Sequence, residues 1–214
     1  EIPRPAGVIL ALTPSTNPVA TVYFKALLAL MTRNAVVISP HPLAKGCCAD
    51  AARLLSDAAT RAGAPDGCIQ VVEEPTIPLI ESLMHDATTD VIVATGGVAV
   101  VRAAYHSGNP AIGVGPGNVP ALVDASADLS RAARSLVYSK SFDNSILCTN
   151  ESVLIAEERI ADALLRHLAG EGVHLCSPEE TAKVRDTVYP DGKLAIPLIG
   201  KDAATIARTA GISV

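Results

Sequence analysis

The sequence of residues 7–18, GVILALTPSTNP, contains the pattern that decides the fold. An apolar run, Gly7–Leu12, is followed by a polar loop, and Pro18 then opens an Ala- and Leu-rich segment. A short run that is apolar at nearly every position is typical of a parallel strand buried on both faces. Because proline is favoured at the first position of a helix, the stretch predicts a strand, a loop and a helix in that order.

The same succession of a short apolar run and a longer helical segment continues along the chain. The predicted strands are residues 7–12, 35–39, 69–72, 91–95, 111–114, 121–124 and 152–156. The predicted helices with apolar residues three and four positions apart are residues 19–31, 45–62, 78–85, 98–106 and 129–141. The pattern changes after about residue 142, where helices are predicted at residues 158–170 and 178–187, followed by a short helix that ends at Thr209. This alternation predicts an α/β fold: a doubly wound, Rossmann-like parallel sheet with helices on both faces. Ligands of such sheets bind beyond the carboxyl ends of the strands.

The composition excludes several classes of protein. Of the 214 residues, 49% are hydrophobic and 18% are charged, which is typical of a chain that buries a core and not of a disordered one. A net charge of −5 lacks the basic excess that a nucleic-acid partner requires. The apolar runs are far shorter than the roughly 20 residues of a membrane span. With no secretory signal pattern either, we expect a cytoplasmic protein with no membrane partner.

The cysteines predict neither a disulfide framework nor a metal site, because their number is odd and no C-x-x-C spacing occurs. They are Cys47, Cys48, Cys68, Cys148 and Cys176. Cys148 differs from the first three because it lies in a polar connection between a predicted helix and a predicted strand. The residues alone leave two interpretations of Cys148, a small core residue or a nucleophilic thiolate.

Three loops that follow predicted strands carry unusual residues. In the first loop, Asn17 is either a helix N-cap or a functional amide. Thr95-Gly96-Gly97 is either an ordinary turn or a place where a helix N-terminus approaches a phosphate or a flat ring. The segment 113–118, GVGPGN, is either a rigid loop or a fixed path past a ligand.

Taken together, these segments resemble the aldehyde dehydrogenase superfamily. Within it they are most similar to the CoA-acylating aldehyde dehydrogenases, including the aldehyde-oxidising half of the bifunctional aldehyde/alcohol dehydrogenases. The strings that carry the resemblance, in the family's order and spacing, are TPSTNP (13–18), ISPHP (38–42), GAP (63–65), ATGG (94–97), PAIGVGPGN (110–118) and SKSFDN (139–144) leading to Cys148.

The resemblance implies a role for each matching position. Cys148 is implied to be the nucleophile, and Asn17, together with the Cys148 backbone N–H, to hold the oxyanion. The implied cofactor-binding residues are Thr13, Pro14, Ser39, Pro40, His41, Thr95, Gly96, Gly97, Gly115, Pro116 and Gly117. The implied cofactor is NAD, with NADP less favoured because the uncharged Ser39 offers no partner for a 2′-phosphate. CoA is the implied co-substrate, no metal is implied, and the intact protein is expected to be a homo-oligomer.

One departure from the hydrolytic members of the superfamily concerns the general base. Those members carry a Glu-Leu-Gly-Gly motif whose glutamate activates water, and alignment on Pro120 places Val114 at that glutamate. Without a base for water, the acyl-enzyme is better resolved by a potent nucleophile such as the thiol of CoA. We therefore expect an EC 1.2.1-type oxidoreductase that reversibly converts a short aldehyde to an acyl-CoA through a cysteine thioester. The alternatives are a non-acylating aldehyde dehydrogenase, an acyl-phosphate reductase and an inactive nucleotide-binding fragment.

The resemblance also predicts the domain organisation. Residues 1–139 are expected to form a dinucleotide-binding domain and residues 140–214 the beginning of a catalytic domain. The N-terminal part of the first domain and the C-terminal part of the second are expected to lie outside the chain. The expected location is the cytoplasm or the interior of a bacterial microcompartment.

Overall fold

Strand β1 (Val8–Thr13), formed by the apolar run quoted above, is the central strand of a parallel sheet. The computed structural model describes residues 4–214. β1 pairs on one side with β2 (Ala35–Pro40) and on the other with β4 (Val91–Thr95). β3 (Ile69–Val71) lies beyond β2, and β5 (Ala111–Val114) lies beyond β4. The strand order β3-β2-β1-β4-β5, parallel throughout, confirms the predicted fold class.

Helices cover both faces of this sheet. They are α1 (Pro18–Met31), α2 (Lys45–Arg61), α3 (Ile77–His85) and α4 (Val98–His106). Alternate residues of β1 point to opposite faces, so that Ile9 and Ala11 pack with residues of α1 and α2. Leu10 and Leu12 pack with residues of α3 and α4. One strand therefore contributes to two separate hydrophobic cores.

The observed bounds of β4 and β5 equal the predicted ones, and those of the other strands differ from them by at most two residues. Gly7 has a φ of +135°, and a Cβ atom there would lie 2.0 Å from the Asp90 carboxylate. The strand therefore begins at Val8, whose N–H donates to that carboxylate at 2.7 Å.

A second compact unit, Gly117–Val214, follows the first, which ends at Pro116. Its two-stranded parallel sheet consists of β6 (Val119–Val123) and β7 (Glu151–Ala156). Its helices are α5 (Leu129–Ser141), α6 (Glu158–Gly170), α7 (Pro178–Val188) and α8 (Ala203–Thr209). Val123, Ala133, Leu164 and Leu168 form its core. The predicted boundary between residues 139 and 140 is a functional division that this partition into compact units does not test, and it stays a prediction.

The cysteines are all free thiols in the structure, and only Cys48 is buried. Within residues 4–214, no helix combines the length and the apolar character needed to cross a membrane.

Close packing of α4 on β5 gives the first prediction. A Cβ atom at Gly113 would lie 2.6 Å from Val101 Cγ1 and 2.8 Å from Tyr105 Cε2. We expect Gly113→Ala to lower the free energy of unfolding by about 1–3 kcal/mol, as overpacking does, measured by denaturant unfolding. Gly46→Ala is the matched control, because no heavy atom lies within 4 Å of its Cβ position in helix α2. The control should leave the free energy of unfolding unchanged or raise it, by up to about 1 kcal/mol. Equal losses in the two variants would contradict this account of the packing.

Candidate active site

The carboxyl ends of β2, β1 and β4 lie side by side at one edge of the first sheet, and each is followed by a predicted site loop. The chain crosses from β1 to β2 on one side, whereas β4 lies on the other side of β1. Crossovers to opposite sides open a crevice between β1 and β4, which is where open α/β sheets bind their ligands. The structure thus brings the predicted residues of the first unit to one edge.

Thr13, Ser39 and Pro40 are buried at this edge, whereas Pro14 is half-buried and His41 is exposed. The Thr13 hydroxyl lies 3.6 Å from Cys48 Sγ, and the Thr13 carbonyl accepts the His41 N–H at 3.0 Å. Burial raises the pKa of the Cys48 thiol. These contacts show that Thr13 is engaged inside the protein and that its backbone joins the ends of β1 and β2.

The Ser39 hydroxyl has no hydrogen-bond partner among residues 4–214, although the residue is only 2% exposed. Unpartnered buried polar atoms are uncommon in native proteins. Its neighbour His41 uses Nδ1 to accept the Leu43 N–H at 3.2 Å, at the start of a short 3₁₀ helix.

Asn17 occupies the N-cap position of α1, but its side chain makes no capping hydrogen bond. Its Oδ1 accepts the Thr16 hydroxyl at 3.3 Å, and its carbonyl accepts the N–H and hydroxyl of Thr21 at 3.1 and 2.8 Å. Within the described part of the chain, its Nδ2 has no hydrogen-bond acceptor. The amide N–H groups are therefore available to a ligand, as an oxyanion donor requires.

The loop after β4 leads directly into the N-terminus of α4. Gly96 donates its N–H to the Val114 carbonyl at 3.1 Å, and Gly97 is the N-cap residue of the helix. No heavy atom lies within 4 Å of the Cβ position of Gly97. Open space beside the free N–H groups of a helix N-terminus suits a phosphate. These residues therefore fit the pyrophosphate of a dinucleotide.

The glycine-rich segment after β5 spans the division between the two units. Gly115 and Pro116 end the first unit, Gly117 begins the second, and all three are exposed. A Cβ atom at Gly117 would lie 3.7 Å from the Cys148 carbonyl oxygen. Gly117 therefore lies beside the turn that carries the predicted nucleophile.

Cys148 is exposed in a turn closed by the Asn150 N–H, which donates to the Leu147 carbonyl at 3.3 Å. Asn150 is buried, and its Nδ2 donates to the Ser139 carbonyl at the end of α5. The Asn150 side chain therefore holds the Cys148 turn against α5. Sequence analysis did not indicate this role for Asn150.

The segment before Cys148 has an unusual backbone. Asp143, Asn144 and Ser145 have φ values of +49°, +51° and +59°, a left-handed conformation that costs roughly 1–2 kcal/mol per L-residue. Asn144 Nδ2 donates to the Gly200 carbonyl at 2.9 Å, which holds this strained segment in place. The signal in the sequence was the Asp-Asn pair, because these two residues tolerate left-handed conformations.

Lys25 is a second residue that sequence analysis missed. It lies in α1, is only 2% exposed, and donates from Nζ to the Leu12 carbonyl at 2.5 Å and the Val93 carbonyl at 2.7 Å. Burial lowers the pKa of Lys25 to about 7. The signal was a lone lysine within the apolar segment VATVYFKALLALM of residues 19–31.

His174, Cys176 and Glu180 place their potential metal-ligating atoms within 4.8 Å of one another. The Glu180 carboxylate already accepts the Ser177 N–H at 2.8 Å in a capping box at the start of α7, and lies 3.2 Å from His174 Nε2. The bond from Ser177 is also the main reason why the pKa of Glu180 is lowered. Helix capping accounts for the position of Glu180, and the expectation of no metal site stays a prediction.

A cleft of about 860 Å³ opens in the second unit. Its lining includes Asn144 and Ser145 from the strained segment and apolar side chains such as Leu136, Leu154 and Ile206, but not Cys148. The cleft therefore borders the loop before the predicted nucleophile without containing the thiol.

Comparison with known proteins identifies the family. Residues 2–176 match the aldehyde dehydrogenase family. The chain belongs to this family. It is 41% identical over 213 residues to the bifunctional aldehyde-alcohol dehydrogenase AdhE of Escherichia coli K12, which covers 100% of this chain and 24% of that protein.

Solved structures of acylating family members are also similar. An acetylating aldehyde dehydrogenase from Geobacillus thermoglucosidasius has a TM-score of 0.93 and 44% identity, covering 99% of this chain and 47% of that one. A Rhodopseudomonas palustris propionaldehyde dehydrogenase with bound CoA and an acylated cysteine has a TM-score of 0.91 and 36% identity, covering 99% and 48%. An engineered glycolyl-CoA reductase with bound NADP⁺ has a TM-score of 0.90 and 36% identity, with the same coverage of 99% and 48%. This family member thus spans about half the length of these structures.

The lowered pKa of Lys25 gives a pH-dependent prediction. Between about pH 7 and pH 10.5, the unfolded chain binds a proton at Lys25 that the folded chain releases. The contribution of Lys25 to the free energy of unfolding therefore increases as pH rises through this window, and it is lost as pH falls to 7. We expect the difference in the free energy of unfolding between the unmodified protein and Lys25→Met, measured with denaturant, to increase from pH 7 to pH 10. A difference in the free energy of unfolding that does not change with pH would contradict the lowered pKa of Lys25.

Proposed function

We propose that the whole protein carrying this chain oxidises a short aldehyde to an acyl-CoA, with a nicotinamide dinucleotide as the hydride acceptor. The observation that carries the proposal is the exposed Cys148 in a polar turn of a chain whose similar structures are acylating enzymes. The proposed reaction is of EC 1.2.1 type and reversible. The acylating relatives favour it over a non-acylating dehydrogenase, an acyl-phosphate reductase or an inactive fragment.

In the first half of the proposed reaction, the Cys148 thiolate forms an S–C bond to the aldehyde carbonyl, and the carbonyl π electrons move to oxygen. The Asn17 amide and the Cys148 backbone N–H donate to this oxyanion, and such preorganised donors are worth roughly 3–4 kcal/mol each. The bound dinucleotide supplies a two-electron acceptor for the hydride that leaves the aldehyde carbon. The carbonyl then re-forms as a thioester on Cys148.

In the second half, the CoA thiol loses its proton to solvent and its sulfur attacks the thioester carbonyl. The bond between Cys148 and the acyl carbon breaks, which regenerates the thiolate and releases acyl-CoA. The position that carries the water-activating glutamate in hydrolytic members is Val114, an exposed apolar residue at the end of β5. Since valine cannot remove a proton from water, a nucleophile that is already potent is favoured.

The proposed cofactor site consists of the three strand-end loops of the first unit and the glycine-rich segment, within a dinucleotide-binding domain of residues 1–139. Residues 140–214 then begin the catalytic domain. The open N-terminus of α4 at Gly97 supports a pyrophosphate position. The uncharged, buried Ser39 supports NAD over NADP, because it offers no cation to a 2′-phosphate.

The proposed setting is the cytoplasm, or a bacterial microcompartment, with the whole protein assembled as a homo-oligomer. Free cysteines are typical of a reducing compartment. β5 is an edge strand that exposes Ile112 and Val114, and apolar edges of this kind are normally covered. The free cysteines support the proposed compartment, and the exposed edge strand supports the proposed homo-oligomer.

Substitution of the nucleophile tests the proposal directly. We expect Cys148→Ala in the whole protein to abolish CoA-dependent NADH formation from a panel of short aldehydes, while circular dichroism and dinucleotide affinity stay unchanged. Cys176→Ala, which removes another exposed thiol of the same unit, should keep full activity. NADH formation by Cys148→Ala, or equal rates with and without CoA in the unmodified protein, would overturn the proposal.

Asn17→Ala tests the oxyanion contact separately. Because this contact forms only in the transition state, kcat should fall about 10²- to 10³-fold with little change in the KM for aldehyde. The thermal midpoint should change little, because the side chain does not cap α1. Ser15→Ala, an exposed neighbour in the same loop, is the control and should keep normal kinetics. A near-normal kcat for Asn17→Ala would remove Asn17 from the mechanism.

A further inference from the structure

A buried amino group joins helix α1 to two neighbouring strands, β1 and β4. Lys25 Nζ donates to the Leu12 carbonyl of β1 at 2.5 Å and to the Val93 carbonyl of β4 at 2.7 Å. β1 and β4 are neighbours, with Ala11 opposite Val93 and Leu12 opposite Ala94. The bonds therefore lie between the two strands where the sheet opens its ligand crevice.

Packing alone does not explain a lysine at this position. The other buried residues of α1 are the apolar Val22, Ala26 and Ala29 and also Thr21, whose hydroxyl donates to the Asn17 carbonyl. Burying a lysine is costly, and a well-packed apolar side chain is often at least as stabilising as a buried charged group. None of the ion pairs found within residues 4–214 includes Lys25, so no carboxylate compensates its charge. What the lysine provides, and an apolar residue cannot, is a pair of directed hydrogen bonds to the two strands.

The helix connects this anchor to Asn17. Asn17, Thr21 and Lys25 are spaced four residues apart, so they share one side of α1. Thr21 is buried and donates to the Asn17 carbonyl at 2.8 Å. The eight residue steps from Asn17 to Lys25 span about 12 Å of helix, which is short enough to act as a rigid element. Movement of Lys25 along the sheet would therefore move Asn17 as well.

We propose that Lys25 is a positioning residue whose two bonds fix α1 against β1 and β4 and thereby hold the Asn17 amide at the oxyanion. The inference rests on the proposed function, because that function gives Asn17 its role. Its bond to β4 also places α1 relative to the loop of Thr95–Gly97, where the cofactor is proposed. A misplacement of about 1 Å in a catalytic group can cost up to 10²-fold in rate.

A double-mutant cycle in the whole protein tests whether Lys25 acts through Asn17. CoA-dependent NADH formation is measured for the unmodified protein, Lys25→Met, Asn17→Ala and the double variant. We expect Lys25→Met alone to lower kcat at least about 10-fold while KM for aldehyde changes less than about 3-fold. In the Asn17→Ala background the same substitution should lower kcat less than about 3-fold, because the donor that it positions is already gone.

Two further variants separate positioning from stability. Val22→Ala removes a buried side chain of the same helix that makes no polar contact with the two strands; it should lower the thermal midpoint but leave kcat unchanged. Lys25→Arg keeps N–H donors at this position and should recover part of the kcat lost in Lys25→Met. If Lys25→Met does not fold, the cycle is repeated with Lys25→Arg, which should again couple to Asn17→Ala.

A folded Lys25 variant with the kcat of Val22→Ala, or losses that multiply fully with those of Asn17→Ala, would overturn the inference while leaving the proposed function intact. If the unmodified protein forms no NADH with CoA and any aldehyde of the panel, the proposed function fails first. In that case the inference about Lys25 fails with it.

Discussion

The pairing of β1 with β2 on one side and with β4 on the other is the interaction on which the first unit depends. Every residue from Ile9 to Thr13 is buried, and alternate side chains fill the two cores on opposite faces of the sheet. A strand buried on both faces has only one register that keeps each apolar side chain in its core. The same register sets the carboxyl ends of β2, β1 and β4 side by side. The candidate cofactor loops meet there because of this pairing.

Side-chain donors to backbone carbonyl groups fix the segments around both proposed catalytic residues. Lys25 donates to carbonyl groups of β1 and β4. Asn144 and Asn150, which precede and follow Cys148 in the sequence, donate to the carbonyl groups of Gly200 and Ser139. A backbone carbonyl orients a side-chain donor as a carboxylate would, but it adds no acidic group near the proposed thiolate or oxyanion. Each proposed catalytic residue therefore lies on an irregular segment that is held by buried or backbone-bound side chains.

The proposed chemistry follows from what the site contains as much as from what it lacks. A thioester on Cys148 would hydrolyse rapidly if a carboxylate positioned a water molecule beside it. The position aligned with the glutamate of hydrolytic members is Val114, and the segment GVGPGN (113–118) that contains it has no acidic residue. The acyl group would then persist until a second thiol arrives, so that energy from aldehyde oxidation is retained in acyl-CoA. Membership of the aldehyde dehydrogenase family, with acylating members among the similar structures, agrees with this division of roles.

Most of the fold was predictable because the relevant signals are local. Strands such as β4 and β5 follow from apolar runs between turn residues, and helices α4, α5 and α6 from periodicity that ends at expected positions. The positions of Asn17 and Cys148 could be proposed from neighbouring residues in the same way, although not the absence of a capping bond at Asn17. Lys25 and Asn144 could not be assigned, because each donates to a carbonyl group far away in the sequence, 68 residues from Lys25 and 56 residues from Asn144. Because every residue has a backbone carbonyl group, the sequence does not show which carbonyl groups accept these hydrogen bonds. Folding selects them by bringing particular carbonyl groups within reach of each donor, on β1 and β4 for Lys25 and at Gly200 for Asn144.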